Sequence, residues 1–164
     1  MQPDTLQQFN AASPEQASAM IAACVALPEW QHSLVVARPF SSVEQLLETA
    51  VALSERWLLP ELERALAAHP RIGDKPKGVS AESAFSRQEQ SAVNSHDMAL
   101  AQGNAEYEAR FGRVFLIRAK GRSGEEILSI LQQRLNNTEA DEVQEALRQL
   151  RQITQLRLEG VFAR

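Results

Sequence analysis

Helix-start signals recur along this chain more densely than any other local pattern, and they decide its fold class. Ser13-Pro14-Glu15-Gln16 combines an N-cap serine, a proline at the first helical position and a glutamine able to close a capping box. It predicts a helix from about 14 to 26 with Met20, Ile21 and Val25 inward. Pro28 ends that region and a short helix over Trp30 to Val36 follows. Arg38-Pro39-Phe40 breaks it, because the residue before a proline avoids helical backbone. Ser42 caps a segment in which Val43, Leu46, Leu47, Ala50 and Leu53 recur at helical spacing. Pro60 opens a short helix, Glu61 to Ala68. Ser86-Arg87-Gln88-Glu89 is a Ser-x-x-Glu capping box heading a helix of about 87 to 102 that stops at Gly103. Asn104 then caps a helix carrying Tyr107 and Phe111, closed by Gly112. Ser123-Gly124-Glu125-Glu126 starts another, with Ile127, Leu128, Leu131 and Leu135 on its apolar face. Thr138 caps the last, where Val143, Leu147, Leu150 and Ile153 run at three- and four-residue steps towards Gly160 as the C′ residue. Val114-Phe115-Leu116-Ile117 fits either a short buried strand or a buried helix continuation. The expected architecture is all-α: a single domain over residues 1–164, a bundle of seven or eight helices.

Between these helices, residues 69–85 carry Pro70, Gly73, Pro76 and Gly78 and no apolar period. A connection of 17 residues is unusually long, and long ordered loops in compact domains are often functional. The chain of 164 residues is long enough to bury a core without disulfides or a structural metal. At 44% hydrophobic and 23% charged it has the composition of a globular protein. Its formal charge of −4 gives no basic face for a phosphate backbone, so no nucleic-acid partner is expected. The one cysteine, Cys24, cannot form an internal disulfide and sits in an apolar helix, as a small core residue does. Met1-Gln2-Pro3-Asp4 does not begin a signal peptide, and the run Ile21 to Leu27 falls far short of the ~20 residues that cross a bilayer. A cytoplasmic location with no membrane partner is the expectation.

His32, His69 and His96 are far apart and belong to no His-x-x-x-His or Cys-x-x-Cys pair, so no metal is expected. Gly121-Arg122-Ser123-Gly124 lacks the Gly-Lys-Ser/Thr ending of a phosphate-binding loop and reads as a helix-start turn. His32 and His96 lie among polar residues and read as solvated. His69 stands where a helix ends and the long loop begins, which can hold an imidazole at a pocket rim or simply cap the last carbonyls. Glu89, third in its capping box, has the local job of accepting its N-cap amide. The free N–H groups of Arg87 to Gln90 also make a natural anion site, to which Ser86 adds a hydroxyl. Arg118, Lys120 and Arg122 form a second charged wall or a solvated turn.

These residues carry a resemblance. Ala68-His69-Pro70-Arg71-Ile72-Gly73-Asp74-Lys75, Ser86 to Gln90, Asn104 to Tyr107, Arg110-Phe111-Gly112 and Phe115-Leu116-Ile117 together resemble the 2-oxo-4-hydroxy-4-carboxy-5-ureidoimidazoline (OHCU) decarboxylases of urate breakdown. Arg38-Pro39-Phe40, Gly121-Arg122-Ser123, Arg134-Leu135-Asn136-Asn137 and Leu156-Arg157-Leu158 extend it in the family's order over nearly the whole chain.

The resemblance implies an all-helical, cofactor-free homodimer that acts on a small molecule, converting OHCU to (S)-allantoin and carbon dioxide. It makes His69 the catalytic acid/base and Glu89 its partner, with Pro70 lining the pocket. Substrate contacts are expected from Ser86, Arg87, Gln88, Glu89 and Gln90, and from Ile117, Arg118, Ala119, Lys120 and Gly121 after the apolar run. This chain carries Arg118 and Lys120 where relatives vary. Two other readings stand beside it: a non-enzymatic helical interaction domain, and a cofactor-free hydrolase of a ureido compound.

Overall fold

A computed structural model describes residues 4–67 and 97–163. The fold is all-α, with eight helices and no strand among the described residues. In chain order they are α1 (Thr5–Ala11), α2 (Pro14–Ile21), α3 (Pro28–Val36), α4 (Val43–Ser54), α5 (Leu59–Leu66), α6 (Asp97–Phe111), α7 (Gly124–Arg134) and α8 (Glu139–Val161). None of the described helices is long and apolar enough to cross a membrane. Contacts group into two compact units: Met1–Glu61 with Arg151–Arg164, and Leu62–Leu150.

In the first unit, Ser13 caps α2 as its box predicts: its hydroxyl accepts from the Gln16 N–H and the Gln16 side chain accepts from the Ser13 N–H. The helix stops at Ile21 rather than near 26, so Cys24 and Val25 are buried beyond its end. Pro28 does not close this region but opens α3 at its first position, where a missing N–H costs nothing. Sequence analysis did not predict α1, which is capped by a reciprocal box between Asp4 and Gln7. Ser42 caps α4 by accepting from the Gln45 N–H at 3.1 Å, and Leu46 and Ala50 turn inward. Trp30 meets Trp57 edge-on at 6.2 Å and donates its indole N–H to the Ala50 carbonyl. Phe9 lies between Phe40 and Phe162. The Arg38-Pro39-Phe40 stretch contains a cis Arg38–Pro39 peptide. Arg38 donates to the carbonyls of Phe9, Ala12 and Val35, gathering the C-terminal ends of α1 and α3 on one guanidinium.

In the second unit, Leu100, Tyr107, Phe111, Phe115, Ile117, Ala119, Ile127 and Leu131 form one buried cluster. The sequence predicted a break at Gly103 and a new cap at Asn104, but α6 runs through both without interruption. The glycine serves packing: a Cβ on Gly103 would overlap the Leu131 Cδ2 atom and lie 3.3 Å from its Cγ, where α6 meets α7. Gly103→Ala is therefore expected to destabilise. The helix-propensity gain of about 1 kcal/mol is smaller than the roughly 1–3 kcal/mol cost of overpacking, because Leu131 is fully buried and has nowhere to move. Thermal unfolding checks it; a raised melting temperature would mean that Leu131 repacks freely. Gly112 ends α6 in the left-handed region with φ 72°, as expected. Ser123 caps α7 by accepting from Glu126 N–H, and Thr138 does the same for Asp141 at the start of α8. Gly160 lies inside the last turn of α8 rather than beyond it.

Candidate functional site

Past Gly112 the chain is neither the strand nor the helix that its four apolar residues allow; residues 114–119 are irregular. Phe115, Leu116, Ile117 and Ala119 are nonetheless buried. A buried irregular segment has no ladder to receive its backbone groups, so side chains must receive them. Arg134, at the end of α7, donates its Nη1 to the Leu116 carbonyl at 2.7 Å. Gln149, on α8, accepts the Arg118 N–H at 2.9 Å. Arg122 closes the stretch by donating its Nε to the Arg118 carbonyl and its backbone N–H to the Ala119 carbonyl. The turn needs Gly121, whose φ is 82°.

Arg134 is also one half of a buried ion pair. Its Nε lies 3.1 Å from both Glu142 carboxylate oxygens and its Nη2 2.5 Å from one of them, with Glu142 completely buried. The carboxylate takes two more donors, the Tyr107 hydroxyl at 2.5 Å and the Asn137 amide at 3.1 Å. The guanidinium lies over the Phe115 ring, 4.6 Å from its centroid. Alongside, Arg110 donates to the Asn137 carbonyl and Arg113 pairs with Glu139. Tyr107, Arg134 and Asn137 thus converge on one carboxylate, with Arg110 joined to them through the Asn137 carbonyl, although the sequence presents them as separate motif fragments.

Burial, then the hydrogen bond to Glu142 and its negative charge, push the Tyr107 phenol well above the usual tyrosine range. An acid whose native pKa is raised contributes stability that is present below its unfolded value of about 10 and lost as pH rises above it. Tyr107 is the chain's one tyrosine, so the effect has a clean readout. The native protein is expected to show no phenolate absorbance at pH 11, whereas the urea-unfolded chain titrates near 10. A native midpoint near 10 would mean that the hydroxyl is solvated.

Of the expected site residues, His69, Pro70, Ser86, Arg87, Gln88, Glu89 and Gln90 lie outside the described residues, as do His96 and the whole of the loop 69–85. The stretch Ile117 to Gly121 is described. Ile117 and Ala119 are buried, Arg118 is half-buried, and Lys120 and Gly121 are exposed. The Arg118 Nε is enclosed without a hydrogen-bond partner among the described residues. His32 is exposed, as expected, beside a surface hollow of about 350 Å³. Asn10 and Arg38 also line that hollow, but both are committed to backbone groups. Among the described residues no three metal-ligating side chains cluster. Sequence reasoning missed Glu142 and Gln149. The available signal was position: Glu142 stands four residues before Ala146 and eight before Leu150, on the buried face of α8. A charge inside an apolar stripe needs a buried partner.

The family model for OHCU decarboxylases matches residues 10–159. The chain belongs to the OHCU decarboxylase family. Among the family's proteins, the 2-oxo-4-hydroxy-4-carboxy-5-ureidoimidazoline decarboxylase of Amia calva is 32% identical over 131 residues, covering 76% of this chain and 75% of that protein. The uric acid degradation bifunctional protein of Bacillus sp. (strain TB-90) is 27% identical over 76% of this chain, and the chain spans only 25% of its length. A crystal structure of OHCU decarboxylase in the presence of (S)-allantoin superposes with a TM-score of 0.74 at 25% identity, covering 93% of this chain and 100% of that one.

Proposed function

We propose that this chain decarboxylates OHCU to (S)-allantoin and carbon dioxide without a cofactor, as a cytoplasmic homodimer. The observation that carries the reading is the family match over residues 10–159. It is supported by the likeness, over the full length of the other chain, to an OHCU decarboxylase crystallised in the presence of (S)-allantoin.

The reaction breaks the bond to the carboxyl carbon and leaves an electron pair on the ring carbon. The substrate's own ring spreads that pair onto neighbouring unsaturated atoms, so the protein's tasks are positioning, charge stabilisation and delivery of a proton to one face. In this reading His69 stands beside the reacting carbon and protonates the enolate-like intermediate. Glu89 orients the ureido or ring N–H groups and pairs with His69, which raises the histidine's pKa and keeps a proton available near neutral pH. Ser86 and the amides of Arg87 to Gln90 stabilise the developing oxyanion at a helix start. Pro70 lines the pocket. Ile117, Arg118, Ala119, Lys120 and Gly121 hold the substrate from the other side.

The test generates the substrate in place with urate oxidase and hydroxyisourate hydrolase and follows chiral allantoin by circular dichroism. Added protein is expected to bring in the optical signal together with carbon dioxide and no ammonia. Ammonia release would favour the ureido hydrolase, and no change on addition would favour the interaction domain.

A further inference from the structure

We propose that Gln149 and Arg134 are positioning residues for substrate: they set the register of residues 116–121 and thereby present the backbone of Ile117 and the N–H of Ala119 to the ligand. This rests on the decarboxylase reading, which places that stretch against the substrate. The argument begins with what is used and what is left. Along the stretch, the backbone of alternate residues is taken by long side chains: the Leu116 carbonyl by Arg134 from α7, the Arg118 N–H by Gln149 from α8 and the Arg118 carbonyl by Arg122 from the turn that follows. Between them, no hydrogen bond among the described residues reaches the backbone of Ile117 or the N–H of Ala119, although both residues are about 5% exposed. Buried peptide groups are almost always paired, and those that are not call for a ligand or a bound water. The nearby Arg118 Nε is likewise enclosed and unpartnered among the described residues. Donors and an acceptor with no partner among the described residues therefore fall on one short segment that has no secondary structure of its own to hold it.

Both holding side chains have further partners of their own. Gln149 is buried on α8 and its own amide is fixed by donating to Glu145 at 2.8 Å. Arg134 is fixed by Glu142 on one side and by the Phe115 ring on the other. A slip of one residue would turn the Ile117 and Ala119 groups away and bring paired ones in their place. Binding of substrate and product would then weaken, while the chemistry at His69 and Glu89 would be nearly untouched.

Gln149→Met removes the acceptor at nearly constant volume, and Gln149→Asn keeps the amide but shortens its reach. Both are measured in the coupled assay, for (S)-allantoin affinity and for amide hydrogen exchange. Each variant is expected to raise KM and the allantoin Kd about tenfold, the worth of one well-made hydrogen bond. Each should change kcat less than about threefold and speed exchange over residues 117–121 alone. Variants that lose melting temperature while KM, Kd and local exchange stay as in wild type overturn the inference and leave the decarboxylase reading intact. A wild-type protein that forms no allantoin overturns that reading, and the inference with it.

Discussion

Glu142→Leu is expected to cost about 3–5 kcal/mol of folding free energy, because it leaves the Arg134 guanidinium buried with no counter-charge and strips a partner from the Tyr107 hydroxyl. That is a large part of the 5–15 kcal/mol that holds a typical domain together. Replacing both charges at once, Arg134→Met with Glu142→Leu, should recover most of the loss, since an apolar pair of similar bulk has no desolvation to offset. Urea unfolding of wild type, the two single variants and the double variant gives the coupling energy directly. Single variants that cost under about 1 kcal/mol would show an ion pair reached by water, of the weak kind found at surfaces. The double variant still lacks the donor to the Leu116 carbonyl, so recovered stability should not bring recovered substrate affinity.

The second large effect concerns catalysis. His69→Asn should lower kcat/KM by about a thousandfold, in the range of a lost general acid, and the allantoin that still forms should carry no enantiomeric excess. Undirected protonation is indifferent to the face of the ring. Full optical activity at the wild-type rate would remove His69 from the mechanism. Glu89→Gln should lose about a hundredfold with an unchanged melting temperature. The opposite pattern, lost stability with full activity, would leave Glu89 as a helix cap only.

What could be read from the sequence was what neighbours in sequence decide. Ser13, Ser42, Ser123 and Thr138 cap their helices because a hydroxyl three residues from an N–H needs nothing else to reach it. Gly103 was misleading because its small size answers to Leu131, nearly thirty residues away, and not to the helix it sits in. Residues 114–117 stayed open between strand and helix because neither applies; their path is fixed by Arg134 and Gln149 from α7 and α8. The resemblance picked out Tyr107, Arg110, Arg134 and Asn137 as motif letters without the reason they occur together. For Tyr107, Arg134 and Asn137 that reason is Glu142, which none of the motif fragments contained, and Arg110 joins them through the Asn137 carbonyl. Local rules therefore reached the all-α class and most helix starts, while the second wall of the proposed site depends on long side chains that cross between elements.

Cys24 offers a practical consequence. It is the chain's one thiol, and with 1% exposure it is closed to reagents in the native state. Alkylation must therefore wait for the surrounding helices to part. At saturating reagent the labelling rate equals the frequency of those openings, which turns a single mass shift into a stopwatch for local breathing.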